Sequence, residues 1–388
     1  MKYLPLILAN LRRSPLRSLL TAASIAFAIA LVCLLRTMPE GLASILDYAA
    51  SGTRVVVLNK AGFDYPLPYA YLQKVRALAG VTSAASWTWY GGVFEAEKGV
   101  TFPSFATEPE VIAEVFPDFG LGPETLAAFQ SRRDGAILGR ATAKSYGWQA
   151  GDRVALVGSV YPVDLEFQIV EVLPHDLSPV FLFHREYLDQ ALKAAGASLD
   201  TASLFYVRVD DRARIEPLRT EIDALFRNSP AQTLSETERE YFKNMFSALD
   251  AFVAITIAVT VLVALCIVFI AANTASLSVR ERAPELAVLK AIGFRKRLVF
   301  ALLVLEAGVL ALAGGAAGAL GSLLLTLGLH GAATSLMSQV GPLGSFVVTR
   351  AIVVQGLFLA LFVGMLSGVV PSFGAARRSV AETLREVF

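Results

Sequence analysis

Four stretches of this chain are apolar with almost no interruption, and the rest is arranged around them. Ser18–Leu35 is apolar throughout. Ala251–Ala272 and Ala351–Val370 hold no charged residue, and Val299–Leu329 holds only Glu306. Each approaches or exceeds the roughly 20 residues that a helix needs to cross a bilayer. The pattern predicts four transmembrane helices, at residues 15–36, 251–273, 298–329 and 351–371. The first could also be read as a signal peptide, because Lys2, Arg12, Arg13 and Arg17 precede it. Its apolar run is longer than the usual h-region, and Arg36-Thr37-Met38-Pro39-Glu40 offers no small-x-small cleavage site. Val32 stands before Cys33 where lipoprotein cleavage wants a small residue. The expectation is an uncleaved anchor.

Between the first two spans the pattern changes to that of a folded domain at residues 37–250. Arg54–Leu58, Val81–Tyr90, Val154–Val157, Leu165–Leu173 and Leu204–Val209 read as strands. Pro68–Ala79, Arg185–Ala195 and Arg212–Arg227 have helical spacing. The fold class expected is an α-helical membrane protein in a 1+3 layout, with a large external α+β domain between helices one and two. Glu40–Ala50 and Gln232–Leu249 are expected to be helical stalks that connect the domain to the spans. In residues 1–14, Leu4, Ile7, Leu8 and Leu11 trace one face of an interfacial helix. The remaining segments are loops at 274–297 and 330–350 and a tail at 372–388.

Charge sets the orientation. Only 17% of the 388 residues are charged, against about 25% in a typical soluble domain. Basic residues flank the spans on one side: Lys2, Arg12, Arg13 and Arg17, then Arg280, Arg282, Lys290, Arg295, Lys296 and Arg297, then Arg377, Arg378 and Arg385. Loop 330–350 has a single Arg at its edge. By the positive-inside rule the basic flanks and both termini are cytosolic, and the domain lies outside. A net charge of +1 gives no nucleic-acid signal. Both cysteines, Cys33 and Cys266, fall inside spans, so the external domain has no disulfide framework.

No Gly-x-x-x-x-Gly-Lys-Ser/Thr, His-Glu-x-x-His, Cys-x-x-Cys or Gly-x-Ser-x-Gly occurs, so the chain is not expected to be an enzyme or to hydrolyse ATP itself. His175 and His184 read as surface histidines; a metal site from them would need carboxylate help, for example from Asp176. Trp87 and Trp89 share one face of a strand, either in the core or at a ligand or partner site. Glu306 lies close to the basic side of its span. It is read either as the partner of a basic or polar group on a neighbouring helix or as a snorkelling interface residue. Gly314 and Gly318, and likewise Gly364 and Gly368, form small-xxx-small pairs that let helices approach closely.

The loop at 274–297 carries the clearest device. Pro284 at a helix start and Gly293 just past its end define a short helix, in which Leu286, Leu289 and Ile292 form an apolar stripe. Glu285 suits its N-terminus and Lys290 its C-terminus. Asn273, Val279, Arg282 and Glu285-Leu286-Ala287-Val288-Leu289-Lys290-Ala291-Ile292-Gly293 resemble the MacB/FtsX-type, or type VII mechanotransmission, permeases of ABC transporters. So do Asn10-Leu11-Arg12-Arg13, Arg17-Ser18-Leu19-Leu20-Thr21, Pro371, Ala375-Ala376-Arg377 and Glu382-Thr383-Leu384-Arg385, as does Glu306 followed by Gly314-Gly315. The sequence departs at Ala287, where the family often has Gly, and at Phe294.

The resemblance implies a permease subunit of the bacterial inner membrane that binds no cofactor itself. ATP and Mg²⁺ would be bound by a separate cytosolic ATPase, docked on a coupling helix of Glu285, Leu286, Leu289, Lys290, Ile292 and Gly293. A second permease subunit, identical or different, would complete a dimer, and a periplasmic adaptor could join it. Movements of the external domain would export or extract an amphipathic substrate such as a lipid, lipoprotein, peptide or drug. Activation of an external cell-wall hydrolase and a receptor role without transport are the other readings.

Overall fold

The computed structural model describes residues 14–174, 180–247, 250–332 and 348–377. Two compact units are present. One comprises residues 1–40, 249–329 and 346–388, and the other comprises residues 41–248 and 330–345. The interfacial helix expected at residues 1–14, most of loop 330–350 and the tail beyond Arg377 lie outside the described residues.

The chain enters with α1 (Pro15–Ser51), which continues well past the expected end at residue 36 and contains Pro39. Pro39 does not end the helix, so the first span and the expected Glu40–Ala50 stalk are one element. The α+β unit follows: β1 (Arg54–Asn59), β2 (Leu67–Pro68), α2 (Tyr71–Arg76), β3 (Val81–Trp89), β4 (Gly92–Val93), β5 (Ser104–Thr107), α3 (Ile112–Val115), α4 (Pro123–Ser131), β6 (Gly135–Gly139) and α5 (Arg140–Tyr146). Then come β7 (Arg153–Gly158), β8 (Leu165–Leu173), β9 (Phe181–His184), α6 (Arg185–Ala194), β10 (Thr201–Ala202), β11 (Leu204–Val209), α7 (Ile215–Leu225), β12 (Thr233–Thr237) and α8 (Glu238–Met245).

Ten strands form one sheet in the order β12-β1-β11-β3-β5-β9-β6-β8-β7-β4. Most pairs are antiparallel; β5 with β9 and β6 with β8 are parallel. Strand β1 shows why its sequence is a continuous apolar run rather than an alternating one. Val55 and Val57 pack on one face against Leu72, Val75, Leu218 and Ile222 of α2 and α7. Val56 and Leu58 pack on the other against Trp87, Ile112, Val115 and Phe129. A strand buried on both faces has no polar side to display.

The expected stalk at Gln232–Leu249 is corrected in part. Thr233–Thr237 is strand β12, paired with β1 from Val55↔Thr237 to Asn59↔Thr233. Only then does α8 start, from a capping box in which Thr237 Oγ1 accepts from Glu240 N and Glu240 Oε2 accepts from Thr237 N. Pairing with β1 overrides the polar composition of this segment.

The second unit is completed by α9 (Asp250–Glu281), α10 (Ala283–Ala291), α11 (Lys296–Ala332) and α12 (Arg350–Arg377). Among the described residues four helices are long and apolar enough to cross a membrane, within α1, α9, α11 and α12. One precedes the α+β unit in the chain and three follow it.

Candidate functional site

Helix α10 is a nine-residue element with Pro284 and Glu285 in its first turn. Proline loses nothing there, because the first N–H groups of a helix have no internal acceptor. At the other end Phe294 N donates to Leu289 O (3.1 Å) and Gly293 N to Lys290 O (3.1 Å). These two bonds close a Schellman motif around Gly293, whose φ of +104° disfavours any side chain. The motif is completed by an apolar contact across the turn. Phe294 and Leu289 both pack on the small cluster of Leu286, Val299 and Leu303. Phe294, a departure from the family pattern, therefore helps to close the helix.

The expected stripe does not face one way. Leu286 is 6% exposed and is turned inward against α11, and Leu289 is partly buried beside it. Ile292 is 72% exposed and Val288, which the periodicity did not single out, is 53% exposed. Arg295, Lys296 and Arg297 follow at the surface. The outward face of α10 is thus Val288, Ala291 and Ile292 leading into a basic cluster. Lys290 is partly buried; burial, then the charge of Lys296, pushes its ammonium below the ordinary lysine value. It lines a cleft shared with Ala287 of α10 and Val370, Pro371 and Gly374 of α12. Ala287, the other departure from the family, is buried at 2% exposure.

Two adjacent residues tie this region to two different helices. Arg282 donates to both oxygens of Glu306 on α11, at 2.9 and 3.0 Å, with the two side chains largely shielded. Glu281 takes a two-pronged bond from Arg17 on α1, with Nη2 to Oε1 at 2.7 Å. Glu306 thus meets a basic side chain from the junction between α9 and α10. The Arg17–Glu281 pair was not legible, because its members are 264 positions apart.

The glycine pairs lie at close helix approaches. A Cβ on Gly314 would lie 2.6 Å from Ala22 O, and one on Gly318 would lie 2.1 Å from Ala26 O, so both touch the backbone of α1. Gly364 and Gly368 of α12 face Ala311 and Ala307 of α11, where a Cβ would meet the alanine methyls at 2.3 and 3.0 Å. Helix α11 thus presents small residues to two neighbours.

In the α+β unit Trp87 is a core residue, with its ring centroid 4.9 Å from Phe105 and 4.7 Å from Tyr206. Trp89 lies on the same face, half-covered, 5.1 Å from Phe105. His184 is corrected: it is 3% exposed, not a surface residue, with Nε2 2.6 Å from Phe129 O. His175 and Asp176 lie outside the described residues. Among those described, no group of three or more His, Cys, Asp or Glu is placed to hold a metal. A buried network that the sequence reading missed joins Arg54 to Glu238 (2.7 Å) and Asp118 (2.5 Å). Arg54 lies just after α1, and Glu238 opens α8, which leads toward α9.

A family model described as the MacB-like periplasmic core domain matches residues 18–225, more than half of the chain, and one described as the FtsX-like permease C-terminal matches residues 257–380. An uncharacterised ABC transporter permease of Methanocaldococcus jannaschii is 24% identical over 97% of this chain and 96% of its own length. An uncharacterised ABC transporter permease protein of Mycobacterium tuberculosis is 28% identical over 67% of this chain, but the match spans only 30% of that longer protein. Among solved structures, the periplasmic region of MacB from Actinobacillus actinomycetemcomitans matches 50% of this chain and 92% of its own, with TM-score 0.35 and 11% identity. The extracellular domain of the noncanonic ABC-type transporter YknZ from Gram-positive bacteria matches 47% of this chain and 99% of its own, with TM-score 0.33 and 10% identity.

Proposed function

This chain belongs to the MacB/FtsX-type family of ABC transporter permeases, and from that premise we propose that it is the multi-pass membrane subunit through which a separate cytosolic ATPase moves an external domain. The observation that carries this reading is the outward face of α10. A short helix closed by a Schellman motif exposes Val288 and Ile292 beside Arg295, Lys296 and Arg297. An apolar ridge flanked by charge fits a groove on another protein.

In this mechanism ATP and Mg²⁺ bind to the partner. ATP-driven closure of the ATPases displaces α10, and Arg282 and Glu281 pass the displacement to α11 and α1. Both lie on the side of the basic flanks, which is the cytosolic side in this reading. Two permease subunits pair in the inner membrane, with the α+β domain outside. The substrate is an amphipathic molecule handled on the outer side, with or without an adaptor.

The test is reconstitution of the full chain with its cognate ATPase in liposomes loaded with a fluorescent lipid or lipopeptide. ATP-dependent release or transfer is expected. Intact ATPase binding and hydrolase activation without any such movement would instead support the signalling reading.

A further inference from the structure

The membrane-spanning unit contains a polar cleft that the docking helix does not use. Ser18 and Thr21 of α1, Thr274 and Ser278 of α9, and Ser367 and Ser372 of α12 line it, together with Glu306 of α11 and Arg17. Ser367 and Ser372 are the two hydroxyl side chains of α12, and both are here. Four helices thus bring polar side chains to one place. The cleft holds about 70 Å³, room for several water-sized groups at roughly 10–15 Å³ each.

Three of the hydroxyls that line the cleft have their protons committed within their own helices. Thr21 Oγ1 donates back to Arg17 O (2.9 Å), Thr274 Oγ1 to Ile270 O (2.9 Å) and Ser367 Oγ to Gly364 O (3.0 Å). A hydroxyl has one proton and two lone pairs, so these oxygens are left as acceptors. Glu306 adds carboxylate oxygens. Arg17 is paired with Glu281, and Arg282 lies between Glu306 and, at 3.6 Å, Glu285, so the cleft has no unmet positive charge that calls for an anion. A fitting group therefore brings several donors. Polar groups at membrane depth are retained where they meet partners or water.

We propose that this cleft takes the ammonium end of a zwitterionic lipid headgroup carrying a primary amine, with its N–H groups on the hydroxyl oxygens and Glu306 and its phosphate beside Arg17. A primary ammonium has three donors to give. A quaternary one has none, although its charge is the same. Arg17 in the first turn of α1 and Arg282, which caps the start of α10, lie at this end of the helices, at the depth where headgroups sit. The proposal rests on the reading of α1, α9, α11 and α12 as membrane spans and needs no ATPase.

The experiment uses the purified full chain without its partner. Native mass spectrometry and thermal unfolding would be recorded with phosphatidylethanolamine, phosphatidylcholine, phosphatidylglycerol and soluble phosphoethanolamine. Phosphatidylethanolamine is expected to be retained and to raise the unfolding temperature, and the other three are not. Thr274→Val and Ser367→Ala, which remove an oxygen while keeping size, should weaken its retention by about tenfold. Equal retention of phosphatidylcholine or phosphatidylglycerol would overturn the proposal. So would binding of soluble phosphoethanolamine in preference to the lipid, or unchanged retention in both variants. Because ATPase binding is not measured, failure here is distinguishable from failure of the docking reading.

Discussion

His184 and Arg54 show how single residues in the external domain hold charge and hydrogen bonds out of water. Burial pushes the His184 imidazole below its ordinary value, more strongly than the Phe129 carbonyl raises it. The folded domain therefore favours neutral His184, while the unfolded chain takes up a proton near pH 6.5. Its contribution to stability is complete above about pH 6.5 and falls as the pH drops toward the lower folded value, by at most about 1.4 kcal/mol per pH unit. Thermal unfolding between pH 7.5 and 5.5 should be less steeply pH-dependent in His184→Asn than in the wild type. Arg54 and Glu238 are a buried pair, with side chains 5% and 4% exposed. Arg54→Ala leaves Glu238 without its cation and should cost about 3–5 kcal/mol, measured by denaturant unfolding. Neither role was legible in the sequence. Arg54 reads as the polar start of a strand, and its partners come from 64 and 184 positions away. His184 ends a four-residue strand buried throughout, which leaves no periodicity to place it.

At the scale of elements, punctuation residues were the most readable. Pro284 and Gly293 mark the two ends of α10, and the glycines of α11 and α12 mark close approaches between helices. Gly293→Ala should destabilise the docking loop by about 1 kcal/mol or more, because alanine is strained at a φ of +104°. Proteolysis or hydrogen exchange across residues 280–297 would register it. The glycines of α11 are not equivalent. A Cβ on Gly318 collides with the backbone of α1, whereas one on Gly321 meets nothing within 4 Å. Gly318→Ala should lower the stability of the detergent-solubilised protein by about 1–3 kcal/mol, and Gly321→Ala should leave it unchanged or raise it. What the pattern hid were elements whose context overrides composition. Strands β5, β6 and β9 are short and buried, so they lack alternation, and β12 looks helical until β1 supplies its pairing. The stripe on α10 was visible as a period, but its direction depends on α11, which covers Leu286.

For the molecule as a whole, the hydropathy plan of four long helices and one α+β domain was readable because bilayer length and loop charge are properties of contiguous sequence. The family follows from matches that reach into both units of the chain. The central claim is that Val288 and Ile292 on α10 receive the ATPase. Binding of the cognate ATPase to the full-length permease in nanodiscs tests it most directly, comparing wild type with the double variant Val288→Asp, Ile292→Asp. Val157→Asp, at an exposed position of the α+β unit, is the control. The account predicts at least about a tenfold loss of affinity in the double variant, with unchanged thermal unfolding and wild-type binding in the control. Wild-type affinity in a folded double variant would contradict it.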